Sequence, residues 1–409
     1  LSTALDNVDS SVIDPDEAAA GREKLADAEQ KLAKMLPSLA TDTPGEGFDA
    51  FISSMADFAN DRPNGDPKEI LRQIEAIFDL MEPMVIEGGR KARLALPKAI
   101  EPMPPLNAAT AKRLGALILD EIGVANLAGR DLAGADLAGA DLSGVDLSGT
   151  MLDGANLKGA NLSGVRAHGT VLCGANLEGA RLAGADIKDT NFAGATLDRA
   201  DFTGARIEKP NLMETSLSGA ILASAELARW TIASVSLRGV VFDQATVSLS
   251  TFIRCDLDRA SFRSARLFKS IFIEGSARGA HFDGADLEKT GFIKVPLDRV
   301  SFEGARMLSS GFIGDIAMER SNFAGVTAVK SSWMAANIQE ACFLKASLKE
   351  CNLMMADARR CDFRLAVLHN TLMLRADFRE CDFFGVDLTG AMLRKADLSF
   401  ASLRHANAY

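Results

Sequence analysis

Histidine is scarce in this chain. Only four stand among 409 residues, and His168, His281, His369 and His405 show no metal-ligand spacing. Cysteine is sparse too, with six residues and no C-x-x-C, which argues against a zinc ribbon or a dithiol redox pair. No apolar run approaches the length that spans a bilayer, and no basic segment leads into an apolar one as in a secretory signal. G-x-x-x-x-G-K-[ST], G-x-S-x-G and H-E-x-x-H are all absent. These absences predict no enzyme, no cofactor, no metal and no membrane span. Free, mostly buried thiols suit a reduced cytoplasmic setting. The chain opens on Leu1 rather than Met, which suits a fragment or a processed product.

A strong single-sign charge is also missing where it would matter most. Residues 1–124 hold 22 acidic and 13 basic side chains, whereas residues 125–409 hold 33 and 32. The larger part is therefore close to neutral, and nucleic acid is an unlikely partner on electrostatic grounds.

What the chain does have is a five-residue beat. Leu132, Leu137, Leu142, Leu147, Leu152, Leu157 and Leu162 set its phase, and the residue two places earlier is small, as at Ala135, Ala140, Ala155 and Ala160. A period of five fits neither an α-helix nor a simple strand and points to a solenoid. The pattern reads Ala135-Asp136-Leu137-Ala138-Gly139, Ala155-Asn156-Leu157-Lys158-Gly159 and Ala285-Asp286-Leu287-Glu288-Lys289. It closely resembles the pentapeptide-repeat family over about two-thirds of the chain. The resemblance implies an all-β solenoid, a right-handed quadrilateral β-helix with four repeats per coil. Counting centres from Leu127 to Leu403 predicts about 14 coils and a rod about 65–70 Å long at the spacing of paired strands. Phe recurs every ten residues, as at Phe252, Phe262, Phe272, Phe282 and Phe292, so it should fill two opposite inner faces. The phase slips by one residue between Gly314 and Met318, which predicts a local bulge. Pro210 and Trp230 in small-residue slots, Ala167 and Ala277 at centres, and Pro296 should mark distorted corners. Cys255, Cys351, Cys361 and Cys381 also occupy small-residue slots and read as structural.

The first third reads as small and α-helical. Residues 1–96 carry helix signals at Asp14-Pro15-Asp16-Glu17, at Phe48–Ile52 and over Pro67–Ile86, where Ile70, Ile74, Ile77, Leu80, Met81 and Met84 form an apolar stripe. Residues 97–106 are a Pro-rich linker, residues 107–124 a capping helix, and residues 125–409 the repeats.

The position after each centre should face outward. On one face it reads Met213, Ala233, Ile253, Ile273, Ile293 and Ile313, and past the slip Met334, Met354 and Leu374. The opposite face reads Asp243, Arg263, Asp283 and Glu303 through its middle. An apolar stripe of this extent is the expected protein-binding site, taking another protein, the helices of residues 1–100 or a second copy in a homodimer. The chain also resembles bacterial type VI secretion adaptors that end in a pentapeptide tail, since a helical, Pro-rich segment with RLGALILDEI at residues 113–122 runs straight into the repeats. That resemblance implies loading a secretion effector onto the spike, although the β-rich domain of that group has no counterpart here. The alternative is a DNA mimic acting on gyrase or a related topoisomerase, which needs an acidic rod, whereas residues 251–409 hold 19 acidic and 22 basic side chains.

Overall fold

The computed structural model describes residues 108–121, 127–314 and 316–408. The helices expected before residue 97 and the linker at 97–106 lie outside them. One helix, Ala108–Glu121, precedes a β-solenoid.

The solenoid has four sides because partners recur every twenty residues in four columns. The first coil pairs Asp131 with Met151, Asp136 with Asn156, Asp141 with Asn161 and Asp146 with Arg166, all in parallel. Each repeat thus contributes one side. Leu137 N–H donates to Asn156 O at 2.7 Å, Asn156 N–H donates to Ala135 O at 2.9 Å, and Gly139 N–H donates to Lys158 O at 2.9 Å. These bonds run along the rod axis, so each coil satisfies the backbone of the next. Between the sides the chain turns in a left-handed conformation, at φ 66° for Gly139 and φ 50° for Lys269.

Regular three-residue strands form on two adjacent sides only. One carries ten strands from Arg166–His168 to Ser347–Lys349, and the other carries five from Thr231–Ala233 to Gly311–Ile313. The strands proper account for about nine turns, fewer than the 14 coils expected. The difference lies at the ends, where single bridges such as Asp146↔Arg166, Val367↔Asp387 and Asp387↔Asn407 continue the columns without extending into strands. The slip is also in place: the register step lengthens at Arg306↔Thr327 and returns at Thr327↔Ser347. Gly314, at φ 88°, takes up the extra residue, and Ile316 N–H closes back on Gly314 O at 2.8 Å.

The lumen is filled by the repeat centres. Phe242, Phe262, Phe282, Phe302, Phe323 and Phe343 stack as one column at 4.5–5.1 Å between ring centroids. Phe252, Phe272, Phe292 and Phe312 stack as the second, which Trp333 continues. The columns meet edge to face, as at Phe282 and Phe292 with 5.6 Å between centroids. Offset stacks crossed by edge contacts are the arrangement that aromatic quadrupoles favour.

Small size is not the whole requirement at the second inward position. At most corners that follow strands of the ten-stranded side, its hydroxyl stands in for the turn bond. At an ordinary corner Ala135 N–H donates to Leu132 O within the turn. At strand corners Ser310 Oγ donates to Leu287 O of the preceding coil at 2.9 Å, while Thr290 N–H donates to Ser310 Oγ at 3.3 Å. Thr170, Ser270 and Thr290 repeat the donation to the preceding coil. Trp230 belongs to the same column: its Nε1–H donates to Ile207 O at 3.2 Å, and its N–H donates to Ser250 Oγ. The expected distortion at Trp230, Pro210 and Ala167 is therefore absent. Regular strands flank Trp230, and Arg206–Glu208 and Arg166–His168 stay paired. The indole supplies the donor that the hydroxyl supplies elsewhere. Ser310→Ala should cost about 1–3 kcal/mol, the penalty for orphaning buried backbone groups, whereas Ser310→Thr should stay within about 0.5 kcal/mol. Urea unfolding midpoints of the two variants check this.

The helix closes the first coil. Asp136 N–H donates to Ala111 O at 3.1 Å, in place of the carbonyl that a preceding coil would offer. Ile118 joins the solenoid core and Leu114 packs against it. Gly115 lies so close that a Cβ there would sit 1.9 Å from Asp136 O.

Candidate protein-binding face

The outward stripe is built on the five-stranded side. Ile253, Ile273, Ile293 and Ile313 are register partners in successive strands. Bridges from Gly311 to Ser332, Asn352 and Leu372 carry the same side on to Met334, Met354 and Leu374. The structure thus brings all eight expected residues onto one face. Their exposure differs along it. Met213 is 43% exposed at one end, and Ile273, Ile313 and Leu374 are half-buried. Ile253 (2%), Ile293 (4%), Met334 (6%) and Met354 (3%) are buried although they point away from the lumen.

A second feature runs beside the stripe and was not singled out in the sequence. The corner between the two strand-bearing sides carries Lys209, Arg229, Lys269, Lys289 and Lys330 at the left-handed position of five of seven successive coils, with Leu249 and Ser309 on the other two. No acidic residue interrupts that column between Lys209 and Lys330. Some members are tied to neighbours: Arg229 to Glu208 at 3.5 Å, Lys330 to Glu350 at 3.9 Å, and Lys269 lies over the Phe268 ring at 5.1 Å. The signal was available as a twenty-residue period in charge, visible only when corners are followed separately from centres. The face as a whole offers a dry row edged by positive charge.

The other surfaces are different in kind. The side opposite the stripe interlocks its own charges, with Arg263 on Asp283 at 3.3 Å and Ser261 bonded to Asp243. A groove of about 490 Å³ on a third side is lined by Arg238, Asp258, Arg278, Asp298, Glu319 and Arg320 among others. Its charges pair along the axis, as in Arg278–Asp298 at 3.2 Å and Arg320–Glu340 at 2.8 Å. Arg320 holds the Glu340 carboxyl below the ordinary carboxylate range. Such self-neutralised ladders do not converge on a reacting atom. Among the described residues no cluster of His, Cys, Asp or Glu has the makings of a metal site. No described helix is long and apolar enough to cross a membrane.

The cysteines are structural in their placement. Cys361 Sγ donates to Ile338 O and Cys381 Sγ to Ala358 O, the same inter-coil bond that Ser and Thr make. Burial pushes the Cys255 thiol up to about 11 and the Cys351 thiol up to about 12. Thiolate, the reactive form, is therefore suppressed at neutral pH. In the native protein at pH 8, iodoacetamide should modify only the partly exposed Cys173 and Cys342, and all six thiols after unfolding. Peptide mass spectrometry checks the order, and early labelling of Cys351 or Cys361 would show the core to be open.

Comparison with known proteins agrees with this architecture. The family model of pentapeptide repeats matches in eight copies over residues 125–159, 160–199 and 373–407. No curated protein matches the chain. Among solved structures the chain is similar to HetL, a pentapeptide repeat protein involved in heterocyst differentiation regulation from the cyanobacterium Nostoc sp. strain PCC 7120. Identity is 21% over 71% of this chain and 94% of that one, with a TM-score of 0.16. A pentapeptide repeat protein of the Arabidopsis thaliana thylakoid lumen is 33% identical over 29% of this chain and 73% of its own, with a TM-score of 0.17. QnrB1, a plasmid-mediated fluoroquinolone resistance protein, is 18% identical over 51% of this chain and 89% of its own, with a TM-score of 0.23.

Proposed function

We propose that this pentapeptide-repeat solenoid is a non-catalytic protein-binding scaffold that takes a protein segment along its apolar face. One observation carries the reading: Ile253, Ile273, Ile293, Ile313, Met334, Met354 and Leu374 lie in one register-locked row, with Met213 two coils before it, beside a corner that carries five basic and no acidic residues from Lys209 to Lys330. A contiguous apolar row of this kind favours a partner with an apolar side, and the lysines favour one that is acidic. The rigid ladder holds the row in a fixed straight line, so little ordering cost falls on this side of the contact. The finer role, carrying a secretion effector to a type VI spike, rests on the order of segments alone, a helical and Pro-rich part ahead of the repeats.

The double variant Ile273→Asp, Ile293→Asp tests the scaffold. In quantitative affinity capture the wild type should retain its partners at least about tenfold better than the variant, the loss expected when central apolar contacts of an interface become charged. The far-ultraviolet circular dichroism spectrum should be unchanged. Equal retention of every captured protein would sink the reading.

A further inference from the structure

We infer that the apolar face is the docking site for an acidic amphipathic helix, and that its resident occupant is the N-terminal segment of this same chain, within residues 1–107. The inference rests on the scaffold reading above and names the partner of that face. Four observations carry it.

The first is charge. The corner beside the stripe presents Lys209, Arg229, Lys269, Lys289 and Lys330, while residues 1–107 hold 20 acidic and 11 basic side chains. The two sets have opposite sign, and the repeats themselves are neutral, so the pairing is between this corner and that segment. A second copy laid face to face with the rods antiparallel would oppose one basic corner to another.

The second is length. The sequence predicts a helix over Pro67–Ile86, twenty residues and so about 30 Å long. The row from Ile253 to Met354 climbs five coils, about 24 Å. Ile70, Ile74, Ile77, Met81 and Met84 recur about once per helical turn of roughly 5.4 Å, close to the roughly 4.8 Å between rungs of the row. An antiparallel or parallel helix laid along the axis meets one apolar rung at nearly every turn.

The third is reach. Twenty-one residues separate Ile86 from Ala108, where the capping helix starts at the first coil. Extended, they span about 70 Å. The farthest rung, Leu374, stands twelve coils from the first, about 58 Å along the rod.

The fourth is burial. Stacking between coils covers a side chain from above and below but leaves its outer end open, as Phe268 on the neighbouring side shows at 36% exposed. Along the row Ile253, Ile293, Met334 and Met354 are only 2–6% exposed, whereas Ile273, Ile313 and Leu374 are half-buried, so these three rungs are the ones that offer apolar surface to a docked helix. A scaffold with its own helix in place would admit a foreign partner only by displacing that helix.

The test is hydrogen–deuterium exchange on the full chain, with light scattering for mass. Three proteins are compared: wild type, Ile273→Asp with Ile293→Asp on the rod, and Ile77→Asp with Met81→Asp on the segment. The segment variant leaves the rod untouched, so misfolding of the rod cannot mimic the result. Expected are a monomer in all three and slowed exchange of peptides covering 67–86 in the wild type. That protection should fall at least tenfold in both variants. Unprotected 67–86 peptides in the wild type, or protection that survives both variants, overturns the inference while leaving the scaffold reading intact. A dimeric wild type that becomes monomeric only in the rod variant also overturns it, since a second copy then fills the face. If capture, mass and exchange are all indifferent to the rod variant, the scaffold reading fails as well.

Discussion

Replacing Phe282 by Ala is expected to destabilise the solenoid by about 3–5 kcal/mol, the usual cost of emptying a buried aromatic site. Phe282 is fully buried, stacks on Phe262 at 4.8 Å and Phe302 at 4.9 Å, and meets Phe292 edge to face. The lumen is bounded by backbone ladders on all four sides. Those ladders fix the spacing of the coils, so the walls cannot collapse into the space that Ala leaves. The cost should therefore fall at the upper end of that range rather than the lower. Phe282→Leu should cost about 1–1.5 kcal/mol, because Leu already fills the same role on the neighbouring columns at Leu257 and Leu287. Chemical denaturation of the two variants side by side checks both figures. Equal, small losses would mean that the stacks are not a continuous core.

The second large effect is expected at the helix-capped end of the rod, in a glycine. Gly115→Ala places a methyl group where Asp136 O already stands, and backbone cannot step aside as a flexible side chain can. The helix must lift, which removes the bond from Asp136 N–H to Ala111 O and uncovers Ile118 and the end of the core. The loss should be about 1–3 kcal/mol, the range for overpacking at a tight contact. It should also be local. In a repeat architecture each coil leans on its neighbours, so unfolding starts where an end is opened. Amide exchange at Asp136, Leu137 and Asp141 should accelerate in Gly115→Ala while the amides of Phe282 and Phe302 stay protected. Uniform acceleration along the rod would show that the cap has no special part.

The fold was legible because five-residue spacing leaves almost no other solution. Leu137 and Ala135 declare which side chains enter, the resemblance to the pentapeptide-repeat family implied four repeats per coil, and on that count Phe at ten-residue spacing falls on two opposite inner faces. The slip between Gly314 and Met318 was legible for the same reason, since a phase error shows against so regular a beat. The coil count was less so, because strands proper need paired dihedrals on both flanks, and terminal coils such as that of Asp387 and Asn407 hold only single bridges. Trp230 was misjudged as a distortion. Its slot looks reserved for small residues in a linear reading, whereas the structure shows a slot for a hydrogen-bond donor that reaches back one coil to Ile207 O. Ser310 and Cys361 fill the same need, and that shared chemistry is invisible until the preceding coil is placed beside them.

The candidate face divides similarly. Ile253, Ile273 and Ile293 could be aligned by counting in twenties, and the register confirms that they are neighbours. The burial of Ile253 and Ile293 could not be read that way, since it depends on what surrounds the row in space. The basic corner of Lys209, Lys269 and Lys289 was hidden by averaging, because the repeats as a whole are neutral. Net charge erases a column whose members are twenty residues apart.

The most direct measurement compares two faces of one rod. Ile273→Asp with Ile293→Asp alters the apolar row, and Arg263→Asp with Glu303→Arg alters the opposite side without changing net charge. The Arg263 and Glu303 variant should stay within about 1 kcal/mol of the wild type, whereas the apolar-row variant should lose several kcal/mol because Ile293 is only 4% exposed, and a wild-type circular dichroism spectrum must show that its rod is still folded. Quantitative capture of protein partners by the two variants should then differ sharply, with an at least tenfold loss for the apolar-row variant and wild-type retention for the other. Equal retention by both, or a loss confined to the Arg263 and Glu303 variant, would contradict the account.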